Sequence, residues 1–208
     1  MGEFNPNESF ELADYDSHWP LLFEQESAVI TGALGDDVID IQHIGSTSVP
    51  GLRAKPIIDI LVAVESFEPV EDYGRRLEPL GYHYHLQEDE ADRLFFWKGT
   101  PRTHHLHIVE YATWEYQRHL LFRDYLRAHP DIARWYEDVK RDLADAFKGN
   151  RPAYTKGKTA FIKSIMARAV EEIFDPSVKR LIDEARHNPP DKPGQAGTPL
   201  AQENPEQG

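Results

Sequence analysis

An α+β fold is what this sequence predicts: a mixed β-sheet with flanking helices and a helical C-terminal annex. Three observations lead there. Ile57 to Val64 is almost wholly apolar, the pattern of a strand covered on both faces. Shorter strand-like runs follow between Tyr82 and Tyr111. From Trp114 onward the apolar residues recur at helical spacing.

Residues 1–12 lack periodicity and read as a flexible lead-in. Trp19, Leu22, Phe23, Glu26, Val29, Ile30 and Ala33 recur at three- and four-residue spacing, which predicts a helix over 18–34 with Pro20 in its first turn. Val38 to Ile44 is a β-branched strand, and Gly45 to Gly51 (GSTSVPG) is a polar loop. Pro69 to Leu80 is a second helix, closed by Gly81. Tyr82–Leu86, Leu94–Lys98 and Thr103–Tyr111 are strands, the last two joined as a hairpin by Gly99-Thr-Pro-Arg. Helices are expected over Trp114–Ala128, Pro130–Phe147 and about Pro152–Glu172, resuming at Ser177–Ala185. One domain is therefore expected over 13–175, with its sheet core at 38–111 and the annex at 113–175. Residues 187–208 are rich in Pro, Gly, Gln and Asn and read as a disordered tail.

Composition narrows the function. The 208-residue chain is 40% hydrophobic and 11% aromatic, enough for a sizeable core. No run approaches the roughly 18 apolar residues of a membrane span. The first 20 residues carry acids that include Glu3, Glu11, Asp14 and Asp16 and have no apolar centre, so no signal peptide is expected. The absence of cysteine excludes disulfides, thiolate catalysis and Cys-type zinc sites, and points to the cytoplasm. A net charge of −13 repels nucleic-acid backbones over most of the surface. It leaves room for a small phosphate-bearing ligand in a locally basic pocket.

His43 to Asp59 is the most informative stretch. Gly45-Ser46 follows a strand and offers a hydroxyl and backbone N–H groups at the end of a rigid element, a phosphate-binding combination. Thr47 adds a second hydroxyl. Asp59 is the only charge in its apolar strand, where an ionised carboxylate needs a cavity, a metal or a cation. His105 and His107 are two apart on a strand and face the same way. With Asp59 they make a two-histidine, one-carboxylate set, the geometry of single transition-metal sites. His43, ending the neighbouring strand, is a fourth candidate ligand. The plainer alternatives are strand histidines bonded to buried groups, an Asp59 paired with Arg53 or Lys55, and hydroxyls that only stabilise the turn.

The segment HIGSTSVPGLRAKPIIDILV resembles the hallmark of the GrpB family. The likeness continues in Tyr15 and Trp19, Thr103-His-His-Leu-His107, Leu121-Phe-Arg-Asp-Tyr-Leu-Arg127, Tyr154-Thr-Lys-x-Lys158 and Phe161-Ile162, covering about residues 12–170. Gly-Ser followed by Asp on an apolar strand is also similar to the nucleotidyltransferase superfamily signature. That resemblance implies a nucleotidyltransferase-like sheet, a Gly-Ser turn holding a triphosphate, and acids holding a divalent metal (Mg or Mn, or Zn for the histidine set). It marks Asp59 and His107 as candidate catalytic residues. It departs from the superfamily at Leu61, where a second acid is expected. GrpB-like segments also occur fused to dephospho-CoA kinases, which implies a CoA-pathway enzyme as a partner.

Basic residues are sparse and so informative. Arg53 and Lys55 lie between the loop and Asp59; Arg123, Tyr154 and Lys158 line the same pocket if the annex folds over the sheet. The alternative for Arg123 is a solvated helix face in ion pairs with Asp124 and Asp131. Trp114, Phe122, Trp135, Tyr136 and Phe147 read as helix-packing core. Three functions are carried forward: a nucleotidyl- or phosphoryl-transferring enzyme, a non-catalytic module binding a nucleotide or CoA-like anion, and a single-metal Asp/His protein.

Overall fold

In the computed structural model of the chain, the strand β2 (Ile58–Val64) lies at the heart of the structure, with six of its seven residues buried. The structure describes Asn5 and residues 11–86, 91–148 and 150–173. The expected helix at 177–185, the tail at 187–208 and most of the lead-in lie outside the described residues. Residues 1–169 form one compact unit; the second, 170–208, contributes the last turn of a helix to the described part.

Five strands make one mixed sheet in the order β1-β2-β5-β4-β3, with β1 spanning Asp40–Ile44, β3 Tyr82–Tyr84, β4 Leu94–Lys98 and β5 His104–Glu110. Among the described residues only β2 and β5 run parallel; β4 and β5 form the expected antiparallel hairpin. The fold is α+β. β1 starts at Asp40 rather than Val38 because Gly35–Asp37 form a 3₁₀ turn that draws in the Val38 N–H.

One face of the sheet is covered by α1 (Trp19–Leu34) and α2 (Val70–Leu77). Trp19, Ile30, Leu34, Tyr73 and Leu77 pack there on the even-numbered residues of β2 and β5. The expected helix over 69–80 divides in two: α2 stops at Leu77, and Glu78–Leu80, with Pro79 at its centre, form a 3₁₀ turn. A proline inside the helix would remove a hydrogen bond.

The odd-numbered residues face the annex, which consists of α3 (Trp114–Ala128), α4 (Pro130–Ala146) and α5 (Arg151–Ile173). Thr113 caps α3 by accepting from the Tyr116 N–H, and prolines stand in the first turns of α1 and α4. Gly157 lets α5 approach α4, since a methyl there would collide with Leu143. Val49 from the polar loop and Leu52 just after it insert into the annex core beside Tyr125, Tyr136 and Phe161. Of the aromatic set, Phe122 and Tyr136 pack in that core, whereas Trp114, Trp135 and Phe147 are exposed on its outside.

Candidate functional site

The odd face of β2 and β5 has two halves. Toward one end Leu61, Ala63 and Val109 pack against Tyr116 of α3. Toward the other, Asp59 is directly opposite His105, and Leu61 opposite His107, so both imidazoles share a face with the carboxylate. They look into a cavity of about 610 Å³ between sheet, turn and annex.

The Gly45–Ser48 turn forms one wall. Gly45 adopts φ +69°, which favours glycine, and a methyl there would stand 2.9 Å from Cβ and Cγ of Asp59 and closer to Oδ2. Gly45, Ser46 and Thr47 all line the cavity. Thr47 Oγ1 donates to the Ile57 carbonyl (3.2 Å) and so accepts from His43 Nε2 (3.0 Å). From α3, Arg127 donates twice to the Ser48 carbonyl, at 3.0 and 2.8 Å.

Asp59 Oδ1 accepts from His105 Nδ1 at 2.8 Å. Burial works to raise the Asp59 pKa, but the hydrogen bond from His105 and the nearby His107 imidazole outweigh it and hold the carboxyl well below the usual range. Since His105 Nδ1 carries the proton, its Nε2 is a bare lone pair, buried and without a hydrogen-bond partner among the described residues. His107 is fixed in the other tautomer. Arg93 Nη1, which can only donate, lies 2.9 Å from His107 Nδ1, so Nε2 carries the proton and faces Asp59 Oδ1 at 4.0 Å. Burial, aided by Arg93, lowers the His107 pKa to about 3.

Asp59, His105 and His107 each offer a ligand atom, all within 4.8 Å of one another, the spacing of a single-cation site. Two ions are a poor fit, because Leu61 is fully buried in apolar contacts where a second acid is needed. A metal-ligating histidine ordinarily donates its other ring N–H to a carboxylate or carbonyl. His107 instead accepts from an arginine.

Three of the sequence candidates are placed elsewhere. His43 pairs with Ile60 across β1 and β2, so strand alternation turns it to the opposite face, where it stacks on Phe23 at 4.9 Å. It is not part of the metal-spaced group. Arg53 is turned outward to Asp14 (2.8 Å) and does not line the cavity. Arg123 is buried against the sheet edge, donating to Gln42 Oε1 (2.8 Å) and the His43 carbonyl (3.1 Å) and pairing with Asp124. It braces β1 on α3 and does not line the cavity.

Lys55, Tyr154 and Lys158 do line it. The Lys55 and Lys158 ammonium groups lie 4.0 and 4.8 Å from the centroid of the Tyr154 ring, which is 1% exposed. Further cations converge that no local spacing reveals: Arg93 and Arg102 from connecting segments, Arg118 from α3, Lys140 from α4, Arg151 and Lys163 from α5. Eight lysines and arginines thus share the lining with one carboxylate, Asp59, among the described residues. The crowding is felt in their titration. Burial first, then Lys158 and Arg151, lowers Lys55 to about 6. Burial and Lys158 lower Lys140 to about 7, and burial lowers Lys158 to about 8.

Comparison with known proteins places this geometry in company. A family profile described as GrpB protein matches residues 9–168. A UPF0157 protein of Pseudomonas aeruginosa is 39% identical over 178 residues, covering 83% of this chain and 73% of the relative. The crystal structure of the conserved protein GrpB from Enterococcus faecalis superposes with a TM-score of 0.74 at 39% identity, covering 79% of this chain and all of that one. More distantly, a dephospho-CoA kinase of Mycolicibacterium paratuberculosis is 27% identical over 184 residues, 76% of this chain but 45% of the kinase.

Proposed function

This chain belongs to the GrpB family, and on that premise we propose that its cavity binds a nucleotide or another phosphate-bearing small molecule. One observation carries the reading: among the described residues, eight basic side chains and one carboxylate line one cavity in a chain of net charge −13. Placing like charges together in a partly buried site is costly unless an anion joins them. The Gly45–Thr47 turn supports the same ligand, as the Gly-Ser turn of a nucleotidyltransferase-like sheet does. The ligand's phosphates lie against this turn, Lys55, Arg151 and Lys158. Asp59 and His107 stand at the floor, where a reacting group is positioned and its proton handled.

Transfer of a nucleotidyl or phosphoryl group is the enzymatic form of this proposal. Leu61, in place of a second acid, favours its other form, a binding module that acts with a partner enzyme, with CoA metabolism suggested by the kinase likeness. A single divalent cation (Mg, Mn or Zn) at Asp59, His105 and His107 is supported by their spacing and opposed by the Arg93 bond to His107. Bound there, it would neutralise charge on the transferred group. A cytoplasmic address fits each form; among the described residues no helix is long and apolar enough to cross a membrane.

Calorimetric titration with nucleotides, CoA precursors and inorganic polyphosphates, with and without Mg²⁺ or Mn²⁺, tests the reading. Saturable binding supports it, and release of pyrophosphate separates enzyme from module. No binding of any of these anions overturns it.

A further inference from the structure

His105 holds its proton on one side of the ring and a lone pair on the other. Its Nδ1–H donates to Asp59 Oδ1 at 2.8 Å, so Nε2 is unprotonated. Among the described residues, Nε2 is the one buried histidine nitrogen without a hydrogen-bond partner. An unmet buried acceptor is unfavourable and calls for a physical reason. The other imidazoles of the cavity are placed differently. His107 accepts from Arg93 through Nδ1 and carries its proton on Nε2, so it has no lone pair to offer. His119 is tied to Glu115 at 3.2 Å. The His105 ring is set by its register opposite Asp59 and by Phe95, whose ring meets it edge-on at 5.2 Å. Its side chain is 16% exposed and lines the same cavity as the Gly45–Thr47 turn.

We propose that His105 Nε2 is a nucleophile, which takes a phosphoryl or nucleotidyl group from a phosphoanhydride and holds it as a covalent N–P adduct before passing it on. This role rests on the phosphate-ligand reading above and specifies its enzymatic form. In the first step the Nε2 lone pair forms a bond to phosphorus. The P–O bond to the leaving phosphate or pyrophosphate breaks, and its electron pair stays with that oxygen. The Nδ1 proton remains in its bond to Asp59, whose negative charge offsets the positive charge that develops on the ring. In the second step an acceptor hydroxyl, or water, attacks the phosphorus. The N–P bond breaks, its electron pair returns to Nε2, and the proton of the attacking group passes to solvent.

Three features favour this route. Direct transfer between two oxygens on a nucleotidyltransferase-like sheet uses two metal ions, and Leu61, enclosed in apolar contacts, leaves no place for the second. A covalent route divides the transfer into two steps and lets the protein's own nitrogen make the first attack. The lone pair is also not spent on activating a protein hydroxyl: Ser46 lines the same cavity, yet it does not hydrogen-bond Nε2. Finally, the surroundings suit a phosphoryl group, since Arg151 and Arg102 act on the His105 ring through their positive charge. A cation ligated through Nε2 would take up the same lone pair, so the nucleophile and a metal bound at this atom exclude each other.

The probes are nucleoside triphosphates labelled in the α- or γ-phosphate, and labelled pyrophosphate, each incubated with the full-length chain and Mg²⁺. Calorimetric titration first establishes which of them bind. A donor that binds should leave label on the denatured protein. That label should survive alkali and be lost in mild acid, as a phosphoramidate is and a serine phosphoester is not. Peptide mapping should place it on His105. His105→Asn should abolish it. His104→Asn, one residue along and turned to the opposite face toward Glu26, should keep it. Both variants are first checked for a native circular dichroism spectrum. If His105→Asn fails to fold, the map of the wild-type adduct decides alone. Binding of these anhydrides without label, or label that maps to another residue, overturns the nucleophile and leaves the phosphate reading standing. Absence of binding by all of them removes both.

Discussion

Gly45 and Asp59 occupy each other's space: the glycine has no side chain because the carboxylate fills the position one would take. This contact locks the turn to the central strand and fixes the acid at the cavity wall.

Gly45→Ala therefore costs stability and ligand together. The methyl overpacks Asp59, and the backbone, at φ +69°, is strained for any side chain. Unfolding in urea should show a loss of about 3 kcal/mol. Thermal stabilisation by pyrophosphate should vanish in the variant that remains folded. An unchanged midpoint would mean that the turn and the strand are not in contact.

Leu61→Asp does not restore a second catalytic acid. Leu61 is fully enclosed by Ile44, Ala63, Val109 and Tyr116, so a carboxylate there has no water and no cation. The expected loss is about 4 kcal/mol or outright failure to fold. A stable variant that gains metal affinity would instead reveal an open path from position 61 to the cavity.

The ligand-free protein should become more stable from pH 5 to pH 9. Lys55, Lys140 and Lys158 have folded pKa values of about 6, 7 and 8, below the unfolded 10.5. Between those values the unfolded chain holds more protons than the folded one, so stability rises with pH. Buried His43, lowered to about 4, and His107, lowered to about 3, act in the same direction below pH 6.5. Melting temperature measured across this range should rise, and saturating pyrophosphate should flatten its upper part. A maximum at pH 6 with a steady fall above it contradicts these lysine environments.

Arg123→Ala separates brace from ligand site. Its guanidinium holds Gln42 and the His43 carbonyl, so its removal should cost about 2 kcal/mol in denaturant unfolding. Affinity for pyrophosphate should stay within about twofold of wild type, because Arg123 does not line the cavity. A tenfold loss in affinity would place it back in the site.

Much of the fold is legible in the sequence because its signals are local. The apolar run of β2, the Gly99–Arg102 hairpin and the start of α3 at Trp114 all lie within a few residues of their evidence. Asp59 stands out for the same reason, as one charge in an apolar strand, and His105 and His107 declare a shared face by their spacing. His43 is misread because nearness along the chain hides parity: it pairs with Ile60, one residue out of step with Asp59. Arg53 and Arg123 are sparse cations near the motif, but each is consumed holding backbone and side chains in place. Arg93, Arg102, Arg118, Lys140 and Arg151 carry no local mark. They become one site only when β5 inserts between β2 and β4 and the annex closes over the sheet.

The most direct test is isothermal titration of pyrophosphate into chelator-treated protein, wild type and Lys158→Met side by side. The basic cavity predicts saturable one-site binding without added metal, weakened about tenfold in the variant. No saturable heat from the wild type, or equal affinity in both proteins, would contradict it.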